Sequence, residues 1–205
     1  MQIDPQTAPQ QSIYKLLIGC VVPRPIAWVS SLSDDGMANL APFSFFMAVC
    51  NDPPTVAFSS GRRAGNKKDT VRNIEYTQDF VVNLVDDALA EQMNLTSGEY
   101  APDVDEFAVT GLTAAPSTKV KAPRVVEAPI NMECRVAQIL PVGHGPHTLV
   151  LGEIVQFHIR DDLYNPNTGR IDMHNLHPVG RLAGELYTHV HEIFEMKRPV
   201  ENYRG

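Results

Sequence analysis

The chain has 205 residues, 43% hydrophobic and 20% charged, with a formal net charge of −7 from 17 basic and 24 acidic side chains. That length suits one domain and buries enough surface to fold without a disulfide or metal staple. The acidic balance argues against sequence-independent nucleic-acid binding, which needs a dominant basic face, and no apolar run approaches the roughly 20 residues of a membrane helix.

Residues 1–11 are polar and Pro-interrupted, which predicts a mobile tail, and they lack the basic start and apolar stretch of a signal peptide. Residues 12–20 predict a short helix with Ser12 as its cap. Residues 26–32 read as a strand, Asp34-Asp35-Gly36 as a hairpin turn, and residues 37–49 as the apolar return. Pro23, Pro25 and Pro42 then belong at strand ends, edges or bulges, because proline donates nothing to a ladder. After Asp52-Pro53-Pro54, residues 55–59 form a strand and residues 61–68 a basic loop. Asp69 can cap a helix running to about residue 77, with Val71 and Ile74 inward. Residues 80–85 predict a buried strand, and Asp86 or Asp87 caps a second helix bearing Leu89 and Met93 and ending near Ser97-Gly98.

Residues 98–129 are polar and Pro-bearing, which predicts loops with short elements. Ile130, Met132, Cys134 and Val136 alternate with Asn131, Glu133, Arg135 and Ala137, the signature of a half-buried strand. Leu149, Leu151, Val155, Phe157 and Ile159 share one parity in the next, after a turn at 143–146. Strands first, helices as insertions and a late antiparallel pair suit a closed or nearly closed antiparallel barrel. Cys20, Cys50 and Cys134 are odd in number, form no CxxC and sit among apolar neighbours, so free buried thiols in a reducing cytoplasm are expected.

Three segments could carry chemistry. In residues 24–31 and 39–46, small residues and hydroxyls interrupt what should be core strands. They suit either tight barrel packing or a surface against which a flat polar ring lies. Residues 59–70 place four basic residues, three hydroxyls and two glycines at a helix start. Phosphate favours such a place, though a solvated loop is the ordinary alternative and Gly-Lys-Ser/Thr is absent. Finally, His144 and His147, His174 and His177, and His189 and His191 have spacings that could bind metal, but no third ligand is evident, so no metal is expected. There is no GxSxG, no GxGxxG, and no cysteine with an obvious histidine partner.

Taken together, PRPIAWVSS, NLAPFSFF, SSGRRAGNKKDTVRNI, FVVNLV and the late VGRLAGELY at 179–187 resemble the flavin reductase-like, FMN-binding split-barrel family over residues 12–187. The resemblance implies a mainly β fold: a single antiparallel Greek-key split β-barrel with short inserted helices. It implies a homodimer with FMN near its interface. Arg24, Ala27, Val29, Ser30, Ser31, Asn39, Ala41, Pro42, Phe43 and Ser44 would lie along the isoalloxazine and ribityl chain. Ser59, Ser60, Lys68, Asp69 and Thr70 would surround the phosphate. The implied activity moves electrons from NAD(P)H to FMN, or through it to an acceptor, with the flavin carrying the chemistry and no catalytic side chain required. A non-enzymatic flavin carrier or sensor of the same fold is the alternative, and a histidine-metal protein the third.

Overall fold

The computed structural model describes residues 1–145 and 147–198, so Pro146 of the expected turn lies outside the described residues. Helix α1 (Gln10–Cys20) begins two residues before Ser12, with Pro9 rather than Ser12 at its N-cap. Strands β1 (Ala27–Leu32) and β2 (Ala38–Phe43) form the expected hairpin, and Gly36 at φ +88° takes the turn conformation that glycine adopts without a Cβ clash. The apolar run that follows is not one strand. It breaks at Ser44-Phe45, and β3 (Phe46–Asn51) and β4 (Pro54–Ser60) make a second hairpin.

Helix α2 (Asp69–Thr77) follows, with Lys68 at its N-cap and Asp69 as its first helical residue; Asp69 pairs with Arg72 instead of capping. Next come β5 (Asp79–Asn83), a 3-10 turn at Asp87–Leu89, α3 (Ala90–Leu95) and α4 (Glu106–Thr110). Asp86 sits at the N-cap of the 3-10 turn without a side-chain cap bond. The loop region contains one two-residue ladder, β6 (Ala114–Ala115) with β7 (Arg124–Val125). Two long strands, β8 (Ile130–Val142) and β9 (His147–Ile159), precede the small pairs β10 (Tyr164–Asn165) with β11 (Arg170–Ile171), and β12 (Val179–Arg181) with β13 (Tyr187–His189). Among the described residues no helix is long and apolar enough to cross a membrane.

The main sheet has seven antiparallel strands in the order β2-β1-β5-β8-β9-β4-β3. Strands β2 and β3 are its two edges, yet only Ser44 and Phe45 separate them in the chain. Three Cα steps span at most about 11 Å, so the sheet must curl until its edges nearly meet. The edges are not hydrogen-bonded to each other, which leaves the barrel split. The chain builds β3 and β4 at the far edge before β5 returns beside β1, a Greek-key path. Pro42 sits on edge strand β2, as a residue without a ladder donor must.

Two cores flank β1. Ala27, Val29, Phe58, Phe80 and Val150 fill the barrel. Trp28, Leu40, Met93 and Phe107 form a second core under α3 and α4, where Trp28 Nε1 donates to Thr96 Oγ1 at 2.8 Å. Burial on both faces explains why β1 shows no alternation. In β9 the inward parity is Thr148, Val150, Gly152 and Ile154, the reverse of the parity expected from Leu149, Leu151, Val155, Phe157 and Ile159. Gly152 belongs inside because a Cβ there would stand 2.4 Å from the Phe80 ring. Cys134 is buried, but Cys20 and Cys50 are exposed, because they lie on the outer surfaces of α1 and β3 that none of the described residues covers.

Strand β8 is not half-buried at its start. Asn131 and Glu133, expected outward, are 2% and 0% exposed. Glu133 accepts bonds from the Thr118 and Lys119 amides at 2.8 and 2.6 Å, and its Oε1 is 2.5 Å from His158 Nε2. It therefore holds the 117–122 loop against the barrel. Desolvation pushes its pKa up, but these bonds outweigh it and hold the carboxyl down to about 2. A carboxyl that falls from 4.5 to about 2 on folding contributes about 3 kcal/mol at neutral pH. The folded value is the lower one, so this stability is complete above about pH 5 and is lost as pH falls toward 2. Urea unfolding at pH 7 and pH 3 is expected to show a stability gap between the wild type and Glu133→Gln that shrinks in acid. A gap independent of pH would mean that folding does not shift the Glu133 pKa, and a gap that widens in acid that the folded state keeps Glu133 neutral.

Candidate functional site

The split between β2 and β3 opens into a cleft. Ser44 and Phe45, which cross the split, line a chamber of about 880 Å³ together with Pro42, Phe43, Ser59 and Tyr187. A second chamber of about 700 Å³ lies against the 62–72 segment and the loop after α3. The two share Pro42, Arg62, Lys68 and Ser97. One end of the cleft is therefore rich in aromatic rings among polar groups, and the other is lined by the cations of the 62–72 segment.

Ten of the fifteen expected site residues face this cleft. Arg24, Pro42, Phe43, Ser44, Ser59 and Lys68 line the first chamber. Asn39, Ala41, Asp69 and Thr70 join Pro42 and Lys68 in the second. The other five line neither. Ala27 and Val29 pack inside the barrel. Ser30 Oγ donates to the Pro123 carbonyl at 2.5 Å, and Ser31 Oγ accepts from Asn73 Nδ2 at 3.2 Å. Ser60 is 1% exposed, with its hydroxyl on the Gly61 carbonyl. Their side chains hold the wall from behind: β1 is buried on both faces, and Ser60 lies on the inward face of β4 opposite Thr148.

Arg24 also departs from expectation. It borders the first chamber but is only 5% exposed. Its Nη1 donates to the Ile18 and Val21 carbonyls at 2.6 and 2.7 Å, and its Nη2 to Leu182 O at 2.8 Å. Its Nε points to Ser44 Oγ at 3.4 Å. The guanidinium thus ties the end of α1, the 182 turn and the split together, a fork that one ammonium could not reproduce.

Charge at the basic end is mostly committed. Arg63 pairs with Glu99 at 3.0 Å, Lys67 with Glu75 and Arg72 with Asp69. Among the described residues no carboxylate lies at ion-pair distance from Lys68. Its ammonium stands 5.4 Å from the centre of the Phe43 ring, at the junction of the chambers. Desolvation lowers its pKa first and the Arg63 charge second, while Glu99 opposes. An anion bound there would relieve both. Thr70 Oγ1 accepts from Asn39 Nδ2 at 3.0 Å and keeps its own proton to donate. Glu106 also lines the second chamber, its carboxyl pKa raised by burial, and accepts the Leu40 amide.

Several cleft residues lie outside the expected set. His147 lines the first chamber 3.4 Å from Ser59 Oγ and stacks toward Phe45 with ring centres 6.4 Å apart. Arg181 lies 4.3 Å over the Tyr187 ring, and both line the same chamber. Tyr14 and Met93 complete its sides. Histidine spacing flagged His147 without placing it, and the 179–187 motif marked the closing segment without saying which side chains face in.

The flavin reductase like domain family matches residues 18–174 of this chain. The structure is similar to nitrilotriacetate monooxygenase component B from Bacillus cereus, at a TM-score of 0.92 and 36% identity over 96% of this chain and 98% of that one. It is similar to 2-nitrobenzoate 2-nitroreductase from Pseudomonas fluorescens, at a TM-score of 0.90 and 32% identity over 100% of both. A Shewanella frigidimarina protein with a split barrel domain shares the fold at a TM-score of 0.84 and 20% identity, over 97% of this chain and all of that one. With a split barrel, a cleft at the split and a family match over most of its length, the chain belongs to the flavin reductase-like family.

Proposed function

We propose that this chain binds FMN in the cleft and transfers electrons from NADH or NADPH to it, the reduced flavin then serving an acceptor. The observation that carries the reading is Lys68, a cation with no carboxylate partner among the described residues, placed where the two chambers of the cleft meet. The residues present fit the group. Pro42, Phe43 and Ser44 offer a flat wall and a hydroxyl for a polar ring, while Lys68, Thr70 and Ser59 offer a cation and hydroxyls for a phosphate. Bound FMN supplies hydride acceptance and release. The protein's residues orient the ring, keep water from one face and hold the phosphate. No side chain is asked to move a proton, in keeping with the absence of a triad motif. The first chamber, about 880 Å³, lies near the top of the roughly 300–1,000 Å³ range of ligand pockets, which supports a second planar group beside a flavin ring and so an enzyme over a carrier. The names of two similar structures, a monooxygenase component and a nitroreductase, support a redox role.

The deciding experiment is extraction of bound cofactor, followed by anaerobic addition of NADH and NADPH to the flavin-loaded protein. FMN is expected in the extract, with its absorbance bleached by one nicotinamide. FAD alone overturns the FMN assignment. Bleaching by dithionite but by neither nicotinamide favours the carrier.

We also propose a homodimer with the cleft beside its interface. Met47, Val49, Leu140, Val142 and Phe157 are each more than 40% exposed, and the outward row of β9 adds Leu149 and Leu151. On α1, Tyr14, Leu16 and Leu17 are exposed and only Ile18 is buried. Ser59 and His147 belong both to this outer face and to the cleft, by register with Leu149 and Val142. An apolar face of this extent marks an interaction surface. Light scattering at micromolar concentration is expected to give twice 22.7 kDa; an FMN-binding monomer refutes the dimer. The three cysteines form no disulfide, which suits a reducing cytoplasm.

A further inference from the structure

A cluster away from the cleft plays no part in the flavin reading. Asp87 stands at the start of the 3-10 turn after β5, and His189 and His191 lie at the end of β13 and just beyond it. His189 Nδ1 is 2.6 Å from Asp87 Oδ1, and His191 Nε2 is 2.6 Å from Asp87 Oδ2. The three ligand atoms all lie within 4.8 Å of one another. None of the three residues lines either chamber.

The backbone brings them together. Residues two apart in extended chain point to one side, and the two imidazole centres are 5.2 Å apart. His189 is paired with Val179 across β12 and β13. The Asp87 amide donates to the His177 carbonyl at 3.0 Å, and the Val190 amide to the Pro178 carbonyl at 3.3 Å. Carboxylate and imidazoles are thus fixed to one short ladder. The ring of His177 is a further imidazole beside them, its centre 5.2 Å from that of His191.

We propose that Asp87, His189 and His191 form a binding site for a divalent transition-metal ion of the Zn²⁺ type, with His177 or water in the fourth position. Two imidazole nitrogens and one carboxylate oxygen are a donor set that zinc accepts in tetrahedral geometry. Ligand atoms about 2.0–2.2 Å from a tetrahedral ion sit about 3.3 Å from one another. The present spacings bracket that value, 2.6 Å across each imidazole–carboxylate contact and 4.8 Å at most, so side-chain rotation suffices. An ion there ties the β12–β13 hairpin, which brings Arg181 and Tyr187 to the cleft, to the turn that follows β5.

Titration calorimetry of the full, chelator-stripped chain with Zn²⁺ tests the site. One saturable site per chain is expected, weakened at least about tenfold by Asp87→Asn, His189→Gln or His191→Gln and unchanged by His174→Gln. The His189 and His191 side chains are 63% and 54% exposed, so these variants should fold even where Asp87→Asn does not, which circular dichroism checks. Co²⁺ added to the unaltered chain gives a reading without variants: the strong visible absorption of a four-coordinate ion is expected. No saturable Zn²⁺ uptake, or uptake of equal affinity in the His189→Gln/His191→Gln double variant, overturns the proposal and leaves a hydrogen-bonded cluster only.

Discussion

Arg24→Ala is expected to lower the stability of the flavin-free protein by about 3 kcal/mol, because it leaves three carbonyls of the frame without their charged donor. Ile18 and Val21 close α1, and Leu182 belongs to the turn between β12 and β13, 158 residues away in sequence. Hydrogen bonds from a charged group contribute about 1.5–3 kcal/mol each when shielded, and their joint loss is less than the sum because water reaches the loosened end of α1. Arg24→Lys should recover less than half of the loss, since one ammonium cannot reach carbonyls spread around the edge of the planar guanidinium. Urea unfolding of the apo-protein measures this directly. The rival expectation, in which Arg24 is a flavin ligand, makes the opposite pattern: wild-type unfolding with a large loss of FMN affinity. That pattern would return Arg24 to the binding set.

Lys68→Ala is expected to weaken FMN binding about 10- to 100-fold and riboflavin binding by less than about twofold. The difference is the phosphate. A charge-assisted bond to a partly shielded phosphate contributes about 1.5–3 kcal/mol, and each 1.4 kcal/mol is a factor of about ten in Kd. The neighbouring cations cannot substitute easily, because Arg63, Lys67 and Arg72 already face Glu99, Glu75 and Asp69. Asp69, which looks out of place beside an anion, is accounted for by its pairing with Arg72. Titration of the apo-protein with both flavins at low and high salt checks the assignment. The FMN preference of the wild type should shrink with salt as screening increases, and that of the variant should not. Equal losses for the two flavins would remove the phosphate from Lys68 while leaving the ring assignment standing.

Local signals in the sequence were sufficient for the β1–β2 hairpin at Gly36, the placement of Pro42 on an edge, the helix after Lys68 and the long pair β8–β9. The first three depend on contacts only a few residues apart or on one residue's backbone limits, and the last on the turn between two long apolar strands. The motifs at 39–44 and 59–70 likewise led to nine residues that do meet in one cleft. The tertiary structure decided the rest. Whether Ala27, Val29, Ser30 and Ser31 face a ligand depends on what covers the second face of β1, and α3 and α4 cover it from far along the chain. The inward parity of β9 was misread because its most apolar row faces outward, while the inward row includes Thr148 and Gly152. The burial of Glu133 depends on the 117–122 loop folding over it. The carboxylate missing from the histidine pairs was Asp87, about a hundred residues before them, brought into place by a ladder of three residue pairs. Periodicity reports which side chains avoid water, but which element or partner keeps the water away is settled only when distant segments pack.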